Sequence, residues 1–398
     1  MADHDGSIAN TVQILEMYIQ NSAGKKADIS TCFQLLKIYE NIFTFYLTGY
    51  ILVSDSFDYQ ANLPIIGGER LSISFKYFNE DIILDFKVLR VSEPMTDTIA
   101  NNNDKKNWMI HFVSDEAITN LKTTISKKFS GTTASIVPKI LGDHLLSTKS
   151  FESAINAKEK QEFVSNFWTP SEAISFAINT SPDYPDLLFY ETLNGFKLNR
   201  LYNLMDTESS ETLVYTNNVK RLANNIVDSS KMTYFDLLMN FENGSMGNTT
   251  YYCPTETNEW KKVETNLNKI YSEDIVSLGY GISAKDEFLD NKSDIKLAHY
   301  NPTIYSKRNI IMNMMKNYNL KMKLPGNLLR TVGNVVEIEY KNILTENFVH
   351  DLYSGNWFIT DVCHIIDSSK AYQHHINLYK NAFMSSDNVI ETNGKVNL

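Results

Sequence analysis

The chain has 398 residues, of which 43% are hydrophobic and 12% aromatic, and its formal net charge at pH 7 is -10. This composition is too apolar for a disordered protein, and the length predicts roughly two to four packed units. The basic residues occur in short pairs such as Lys105-Lys106 and Lys127-Lys128 rather than in a stripe. The sequence therefore argues against a protein that binds nucleic acid through its phosphates, since such proteins need a basic surface.

The cysteines and the N-terminal residues indicate the cellular compartment in which the chain folds. Cys32, Cys253 and Cys363 are odd in number and far apart, which argues against a disulfide framework and favours folding in a reducing cytoplasm. The first residues are polar and acidic, so no secretory signal is predicted. The most apolar short run, 42–53, falls short of the ~20 residues that cross a bilayer.

The first predicted elements are an arm and a set of strands. Residues 1–30 predict an N-terminal arm or a short amphipathic helix, because Val12, Leu15 and Ile19 have helical spacing. Apolar and polar residues then alternate, which is the pattern of strands with one buried face. The alternation runs through 43–53, 71–76, 82–88 and 108–113. Residues 31–115 therefore predict a small antiparallel barrel or sandwich.

A mixed α/β unit is predicted at 116–210. Helical spacing in 118–129 and 136–146 predicts two helices. The run Thr169-Pro170-Ser171-Glu172 predicts a helix start, with Thr as N-cap, Pro at the first helical position and Glu completing a capping box. The strand-like runs 187–191 and 196–200 flank Asn194-Gly195 and predict a hairpin.

The remainder returns to strands. Residues 253–324 are polar and irregular and end in a predicted helix near 305–318. Alternation of apolar and polar residues resumes in 320–324, 335–340, 357–366 and 372–379. This is the same all-β pattern as in the first unit. The predicted fold class is therefore α+β, mainly β.

The sequence carries little that predicts chemistry. It has no P-loop, HExxH, CxxC or GxSxG motif, so no catalytic residue and no cofactor are predicted. One group of residues resembles a set of metal ligands: Cys363, His364, His374 and His375. Adjacent residues of a strand face opposite sides of it, however, and the sequence has no CxxC pair to complete a zinc site. We interpret them as barrel-wall residues and predict no metal.

Four stretches carry short motifs, at 49–71, 189–198, 320–338 and 352–378. Their order and spacing resemble the central baseplate hub protein of contractile-tailed bacteriophages, which is related to the hub part of type VI secretion spike proteins. The motif positions that carry the resemblance are Leu63, Pro64, Gly67, Gly68, Glu69, Gly195, Phe196, Gly326, Gly333, Gly355, Trp357 and His364.

The resemblance implies two tail-tube-like antiparallel β-barrels with inserted mixed α/β domains. The implied division is an arm at 1–30, a first barrel at 31–115, an inserted α/β domain at 116–210, a discontinuous second barrel at 211–252 plus 325–385, an inserted domain at 253–324 and a C-terminal tail at 386–398.

The resemblance also implies a structural role without catalysis. Three copies would form a pseudo-sixfold ring around the DNA channel, in contact with the tail tube protein, the central spike protein (with or without a lysozyme domain) and the baseplate wedge proteins. The expected location is the virion, after assembly in the host bacterial cytoplasm. Passing DNA would not be bound specifically, and acids lining the channel are hypothesised to keep it mobile by repulsion.

Two alternatives stay open at this point. A tail-associated cell-wall hydrolase would need paired carboxylates, and Glu69 and Asp361 are the acids to test, although solvated or loop-capping acids are the commoner case. Muralytic activity that is abolished by a Glu69 substitution would favour it. A glycan-binding tail protein would instead expose aromatic residues in a groove, and the chain has 22 Tyr residues.

Overall fold

The computed structural model describes residues 11–55, 65–92, 106–215, 228–233, 236–245, 247–253, 259–266, 270, 302–315, 318–340 and 353–380. The strands are β1 Gln13–Gln20, β2 Lys26–Asp28, β3 Phe33–Asn41, β4 Thr48–Asp55, β5 Arg70–Tyr77, β6 Glu80–Ser92, β7 Lys106–Ser114, β8 Ile125–Gly131, β9 Phe151–Ser153, β10 Gln161–Trp168, β11 Leu187–Thr192, β12 Gly195–Arg200, β13 Thr212–Tyr215, β14 Asp228–Thr233, β15 Gly247–Tyr252, β16 Lys261–Asn266, β17 Tyr318–Pro325, β18 Val335–Tyr340, β19 Gly355–Asp367 and β20 Tyr372–Lys380. The helices are α1 Asp115–Lys122, α2 Thr133–Asp143, α3 Pro170–Asn179, α4 Leu201–Met205, α5 Leu237–Glu242 and α6 Pro302–Met314.

One thirteen-stranded sheet organises the fold, which confirms the predicted class of α+β, mainly β. Its main path runs β14-β17-β20-β19-β3-β4-β7-β6-β5-β1-β2, and β18 and β13 continue from β19. All of its ladders are antiparallel except the β13–β18 pair. The N-terminal and C-terminal strands meet where β3 pairs with β19, so the two predicted β units share one continuous sheet. Among the described residues the sheet does not close into a barrel.

Two hydrophobic cores nevertheless accompany this sheet. The first is built mainly from β1 to β7, and the second mainly from β11, α6 and β17 to β20. The sheet also curves back on itself, which brings the start of β1 beside the start of β20. Thr11, just before β1, forms an antiparallel bridge to Ala371, just before β20, and the Val12 N–H donates to the Lys370 carbonyl at 2.9 Å. Tyr372 and Ile366 accordingly pack in the first core although they belong to the C-terminal strands.

The helix predicted near the N-terminus is wrong, because Gln13–Gln20 is a strand. Met17 and Ile19 are fully buried with a period of two, while Leu15 lies at a register shift in the β1–β5 ladder and is 42% exposed. The helical spacing of Val12, Leu15 and Ile19 therefore arose because a β-bulge displaces Leu15 from the alternation.

The α/β unit after β7 has its own core. Helices α2 and α3 pack against the β8–β10 pair and against the β9-β12-β11 sheet. The capping box at Thr169 is confirmed, with reciprocal bonds to Glu172 and Pro170 at the helix start, and so is the β11–β12 hairpin. The helix predicted over 118–129 ends at Lys122, and Ile125–Gly131 is strand β8. A spacing of four residues repeats in a strand as well as in a helix, so the pattern alone did not separate the two.

The second β unit takes strands from separate parts of the chain. β13 pairs with β18, and β14 pairs with β17. β15 lies in 211–252, which the family resemblance implies to be part of the second barrel, and it pairs with β16 and contacts α6. The helix predicted near 305–318 is confirmed as α6. No helix among the described residues has the length and apolar character needed to cross a membrane.

Candidate functional site

The strands at the join between the two β units, β3, β19 and β20, carry polar residues on both of their faces. On the inner face lies Glu40, a carboxylate of β3 that is 1% exposed. Its oxygens accept hydrogen bonds from the Leu193 N–H at 2.8 Å and from the Thr331 hydroxyl at 2.6 Å. The Val332 N–H donates to it at 3.3 Å. Glu40 therefore ties the first β unit to the β11–β12 hairpin turn and to the loop before β18.

Two histidines and a tyrosine extend from Glu40 across the neighbouring strands. His364 on β19 and His374 on β20 are directly opposite each other, and both are buried. The Tyr372 hydroxyl lies 2.8 Å from His364 Nδ1 and 2.8 Å from His374 Nε2. His364 Nε2 faces the Glu40 carboxylate at 3.5 Å, a looser ion-pair distance.

A buried arginine lies next to His374, on the side away from Glu40. Arg330 is 1% exposed and forms a two-point ion pair with Glu211, whose second contact is 2.8 Å long. Its guanidinium also donates to the Pro325 carbonyl at 2.7 Å and lies 3.4 Å from His374 Nδ1. We call Glu40, His364, Tyr372, His374, Arg330 and Glu211 the buried junction.

The donors in the buried junction can be assigned because arginine only donates. His374 Nδ1 must therefore accept from Arg330, which leaves the proton of a neutral His374 on Nε2. That N–H donates to the Tyr372 hydroxyl, and the hydroxyl donates in turn to His364 Nδ1. His364 Nε2 faces the Glu40 carboxylate at 3.5 Å without forming a hydrogen bond to it, so the hydrogen bonds run in one direction from Arg330 to His364.

The electrostatics agree with this assignment. Burial, together with the nearby charge of Arg330, holds the pKa of His374 well below its usual value, which keeps its ring neutral. Burial raises the pKa of Tyr372 well above its usual value, so the hydroxyl keeps its proton. Burial alone would raise the pKa of Glu40, but the neighbouring His364 and the hydrogen bonds from Thr331 and Leu193 outweigh it and lower the pKa. The junction thus has the Glu40 carboxylate at one end and the Arg330 guanidinium at the other, with His364, Tyr372 and His374 between them.

The four residues that resemble metal ligands in the sequence lie on opposite faces of the sheet. His364 and His374 face inward with Tyr372 between them, while Cys363 and His375 face the opposite side. Both nitrogens of His374 already have partners. In the part of the chain that the structure describes, no three His, Cys, Asp or Glu residues come together as metal ligands would.

The outer face of the same strands is open and polar. Cross-strand pairing places its residues in rows, from β17 through β20 and β19 to β3 and β4. We call it the polar face, and it consists of Lys321, Lys323, Gln373, His375, Asn377, Asp361, Cys363, Lys37, Tyr39, Asn41, Thr48 and Tyr50. Most of these residues line a cavity of about 430 Å³.

Charge and aromatic residues are mixed on the polar face. Lys37 lies with its ammonium 5.5 Å from the ring centroid of Tyr50, and the Tyr39 and Tyr50 rings are 6.4 Å apart. Asp361 contributes a carboxylate to the face. It accepts a bond from the Asn41 amide and a 2.8 Å bond from the Thr360 hydroxyl.

The two acids proposed for hydrolysis are not paired. Glu69 is buried and accepts from the backbone N–H groups of Ile66 and Gly67, as a loop-capping acid does. It precedes β5, whereas Asp361 lies on β19, and four strands separate β5 from β19 along the sheet. Each carboxylate is engaged with its own neighbours.

The motif positions are spread through the fold. Leu63 and Pro64 lie outside the described residues. A Cβ on Gly326 would lie 2.2 Å from the Tyr372 ring, so this glycine lets the chain pass over the buried junction. Gly195 has a φ of +115°, and a Cβ there would lie 2.5 Å from the Ser150 carbonyl oxygen. Such positions favour glycine.

The aromatic motif positions lie in cores. Phe196 is fully buried and stacks on Phe189 with ring centroids 5.4 Å apart. Trp357 is also fully buried and donates its indole N–H to the Tyr353 carbonyl at 2.8 Å. Gly67 and Gly68 have positive φ in the loop before β5, and Gly333 and Gly355 have positive φ beside the second unit. The role of these positions in the family motif stays a prediction.

Sequence reasoning missed the two ends of the buried junction. Glu40 had a usable signal, because it occupies the apolar parity of β3 between Ile38 and Ile42. A charge at an inward-facing position is a sign of a buried partner. Arg330 lies in a loop, where no periodicity distinguishes inward from outward positions.

Comparison with solved structures decides the fold. A 43 kDa tail protein of prophage MuSo2 from Shewanella oneidensis matches with a TM-score of 0.59 and 10% identity, over 92% of this chain and 99% of that one. A tail protein from Neisseria meningitidis MC58 matches with a TM-score of 0.58 and 10% identity, over 92% of this chain and 96% of that one. The chain has the fold of these tail proteins. The resemblance predicted from the four stretches is thus confirmed as a likeness of fold. No protein-family model and no curated protein matches the sequence.

Proposed function

We propose that the chain is the structural hub of a contractile phage tail baseplate. Three copies would form a pseudo-sixfold ring that joins the tail tube to the central spike and encloses the DNA channel. The observation that carries the proposal is the tail-protein fold, which extends over 92% of the chain. In this proposal the chain is a virion component without catalysis of its own.

The internal organisation supports a ring of this kind. Each chain carries two β units with separate cores, so three chains supply six such units. The β3–β19 ladder and the buried junction connect the two units within one chain. We propose that they correspond to the expected barrels at 31–115 and at 211–252 plus 325–385, with β1 and β2 added to the first, and with β17 in the second in place of β15. The inserted domains at 116–210 and 253–324 would pack outside. The partners would be the tail tube, spike and wedge proteins.

The test is the absolute mass of the purified chain, measured by light scattering after size exclusion, alone and with its spike partner. Three times 45.6 kDa gives about 137 kDa for the expected trimer. A stable trimer in either condition supports the ring. A monomer in both conditions would remove the physical basis of the hub proposal.

A further inference from the structure

The strands from β14 to β3, which carry most of the polar face, mix charges of both signs on that side. Asp361 lies on the face with three lysines, and Asp367 follows it on the same side of β19. Asp228 is opposite Lys323 in the β14–β17 ladder. A ligand with several charges of one sign would meet repulsion as well as attraction here. The mixed charges therefore favour a ligand without net charge.

One row of polar side chains crosses four strands of the polar face. Lys321 on β17, Asn377 on β20, Asp361 on β19 and Asn41 on β3 are cross-strand neighbours in turn. At about 4.8 Å per strand the row is on the order of 14 Å long. Ammonium groups donate hydrogen bonds, carboxylates accept them and amides do both. The row therefore offers donors and acceptors along a single line.

Some of these groups retain hydrogen-bonding capacity. Among the described residues, no hydrogen bond engages the Asn377 amide or the Thr48 hydroxyl, which both line the cavity of about 430 Å³. Asp361 accepts from the Asn41 amide and the Thr360 hydroxyl, which uses two of the roughly four acceptor positions of a carboxylate. The wall of the cavity thus has donors and acceptors that are open to a ligand.

An exposed aromatic ring borders the row. Tyr39 lines the same cavity, is 37% exposed and lies two residues before Asn41 on β3. Its ring places an apolar surface next to the polar row. A sugar combines the matching properties, because its hydroxyl groups donate and accept hydrogen bonds while the C–H groups on its face pack against aromatic rings.

Other polar ligands match this arrangement less well. The backbone groups of these strands are engaged in ladders on both sides, so an extended peptide has no free strand edge to pair with. An amino acid carries its ammonium and carboxylate on one carbon atom, whereas Lys321 and Asp361 are two strands, or about 10 Å, apart. The cavity volume is within the range of about 300–1,000 Å³ that is usual for small-molecule sites.

We propose that the polar face binds a neutral mono- or disaccharide in this cavity. Asn377, Asp361 and Thr48 would bond the sugar hydroxyls, and the Tyr39 ring would pack against the sugar face. The inference goes beyond the proposed function and does not rest on it, because the cavity is formed within one chain. It gives the glycan-binding alternative that the sequence left open a specific place in the fold.

The experiment is a calorimetric titration of the purified full chain with maltose, cellobiose and N,N′-diacetylchitobiose, supported by saturation-transfer NMR of each sugar. We expect at least one of them to bind with a Kd on the order of 1 mM. Asn377→Ala and Tyr39→Ala should each weaken that binding by about fivefold or more. Gln373→Ala is the matched control, because Gln373 is an exposed amide on the same face of β20 but outside the cavity, and it should leave the Kd unchanged. Circular dichroism would establish that the variants are folded.

Three outcomes would overturn the inference. None of the three sugars binds, the control variant loses as much affinity as Asn377→Ala, or the binding weakens steeply with salt, which a neutral ligand should not show. The mass of each sample separates this inference from the ring. A monomer that binds the sugar through Asn377 and Tyr39 keeps the inference and removes the ring, whereas a trimer that binds none removes the inference and keeps the ring.

Discussion

The inner and outer faces of β3, β19 and β20 use similar residue types for opposite purposes. His374 and His375 are adjacent in sequence, yet His374 is fully buried between Tyr372 and Arg330, whereas His375 lines the open cavity. Glu40 and Asn41 divide in the same way. The period of two in a strand therefore separates a locked polar network from an accessible polar surface.

The difference between the faces is one of solvation. Inside, each polar atom has lost water and depends on a specific partner, so the network holds its members in one geometry. Outside, water can replace any partner that is lost, and side chains are available to contact another molecule. We therefore expect substitutions on the inner face to change stability and substitutions on the outer face to change binding.

The largest loss of folding stability is expected for Glu40→Ala. The change leaves the Leu193 N–H, the Thr331 hydroxyl and the His364 ring without their shared acceptor. Removing one partner of a buried ionic network costs about 3–5 kcal/mol. Denaturant unfolding followed by circular dichroism would measure the free energy of unfolding. A loss under about 1 kcal/mol would show that the junction does not connect the two β units energetically.

A smaller loss is expected for Tyr372→Phe, which keeps the ring and removes the hydroxyl. Both histidine nitrogens that face this hydroxyl would lose their partner, and each unsatisfied buried group costs about 1–3 kcal/mol. We expect a decrease of about 2–3 kcal/mol in the free energy of unfolding. Tyr39→Phe on the outer face is the matched control and should change it by less than half as much. Equal losses in the two variants would contradict the division between the faces.

Part of the pH dependence of stability should come from His374 on the inner face, in addition to His111 and His144, whose pKa values burial also lowers. The pKa of His374 is held well below its usual value in the folded chain, so its contribution is complete above the unfolded pKa of about 6.5. As pH falls below that value, the unfolded chain takes up a proton that the folded chain does not. The free energy of unfolding should then fall by up to about 1.4 kcal/mol per pH unit.

The groups that face His374 are His364, Tyr372 and Arg330, so a variant must leave them in place. Thermal unfolding between pH 7 and pH 5 should show a shallower slope for His374→Gln than for the native chain. The control His375→Gln, one residue away on the polar face, should keep the native slope. If His375→Gln instead flattens the slope, the titrating group faces outward.

The sequence could predict the strands of this region but not their partners. Alternation in 357–366 and 372–379 identified two strands, and the capped start at Thr169 identified a helix, because these signals are local. The β3–β19 ladder joins residues more than 300 positions apart, and no local pattern specifies it. The same limit applies to the junction, since Glu40 and Arg330 meet their partners only after that ladder has formed.

The smallest effect on stability is expected for Lys37→Ala on the polar face. The ammonium lies 5.5 Å from the Tyr50 ring and has no carboxylate partner among the described residues, so its removal should change the free energy of unfolding by less than about 1 kcal/mol. Ile38→Ala, its inward-facing neighbour on β3, is the matched control and should cost about 2–5 kcal/mol, because Ile38 is 1% exposed and its loss leaves a cavity. Denaturant unfolding of the two variants compares the faces at adjacent positions of one strand. If Lys37→Ala cost as much as Ile38→Ala, the outer face would be part of the packed structure, and the lysine would not be available to a partner.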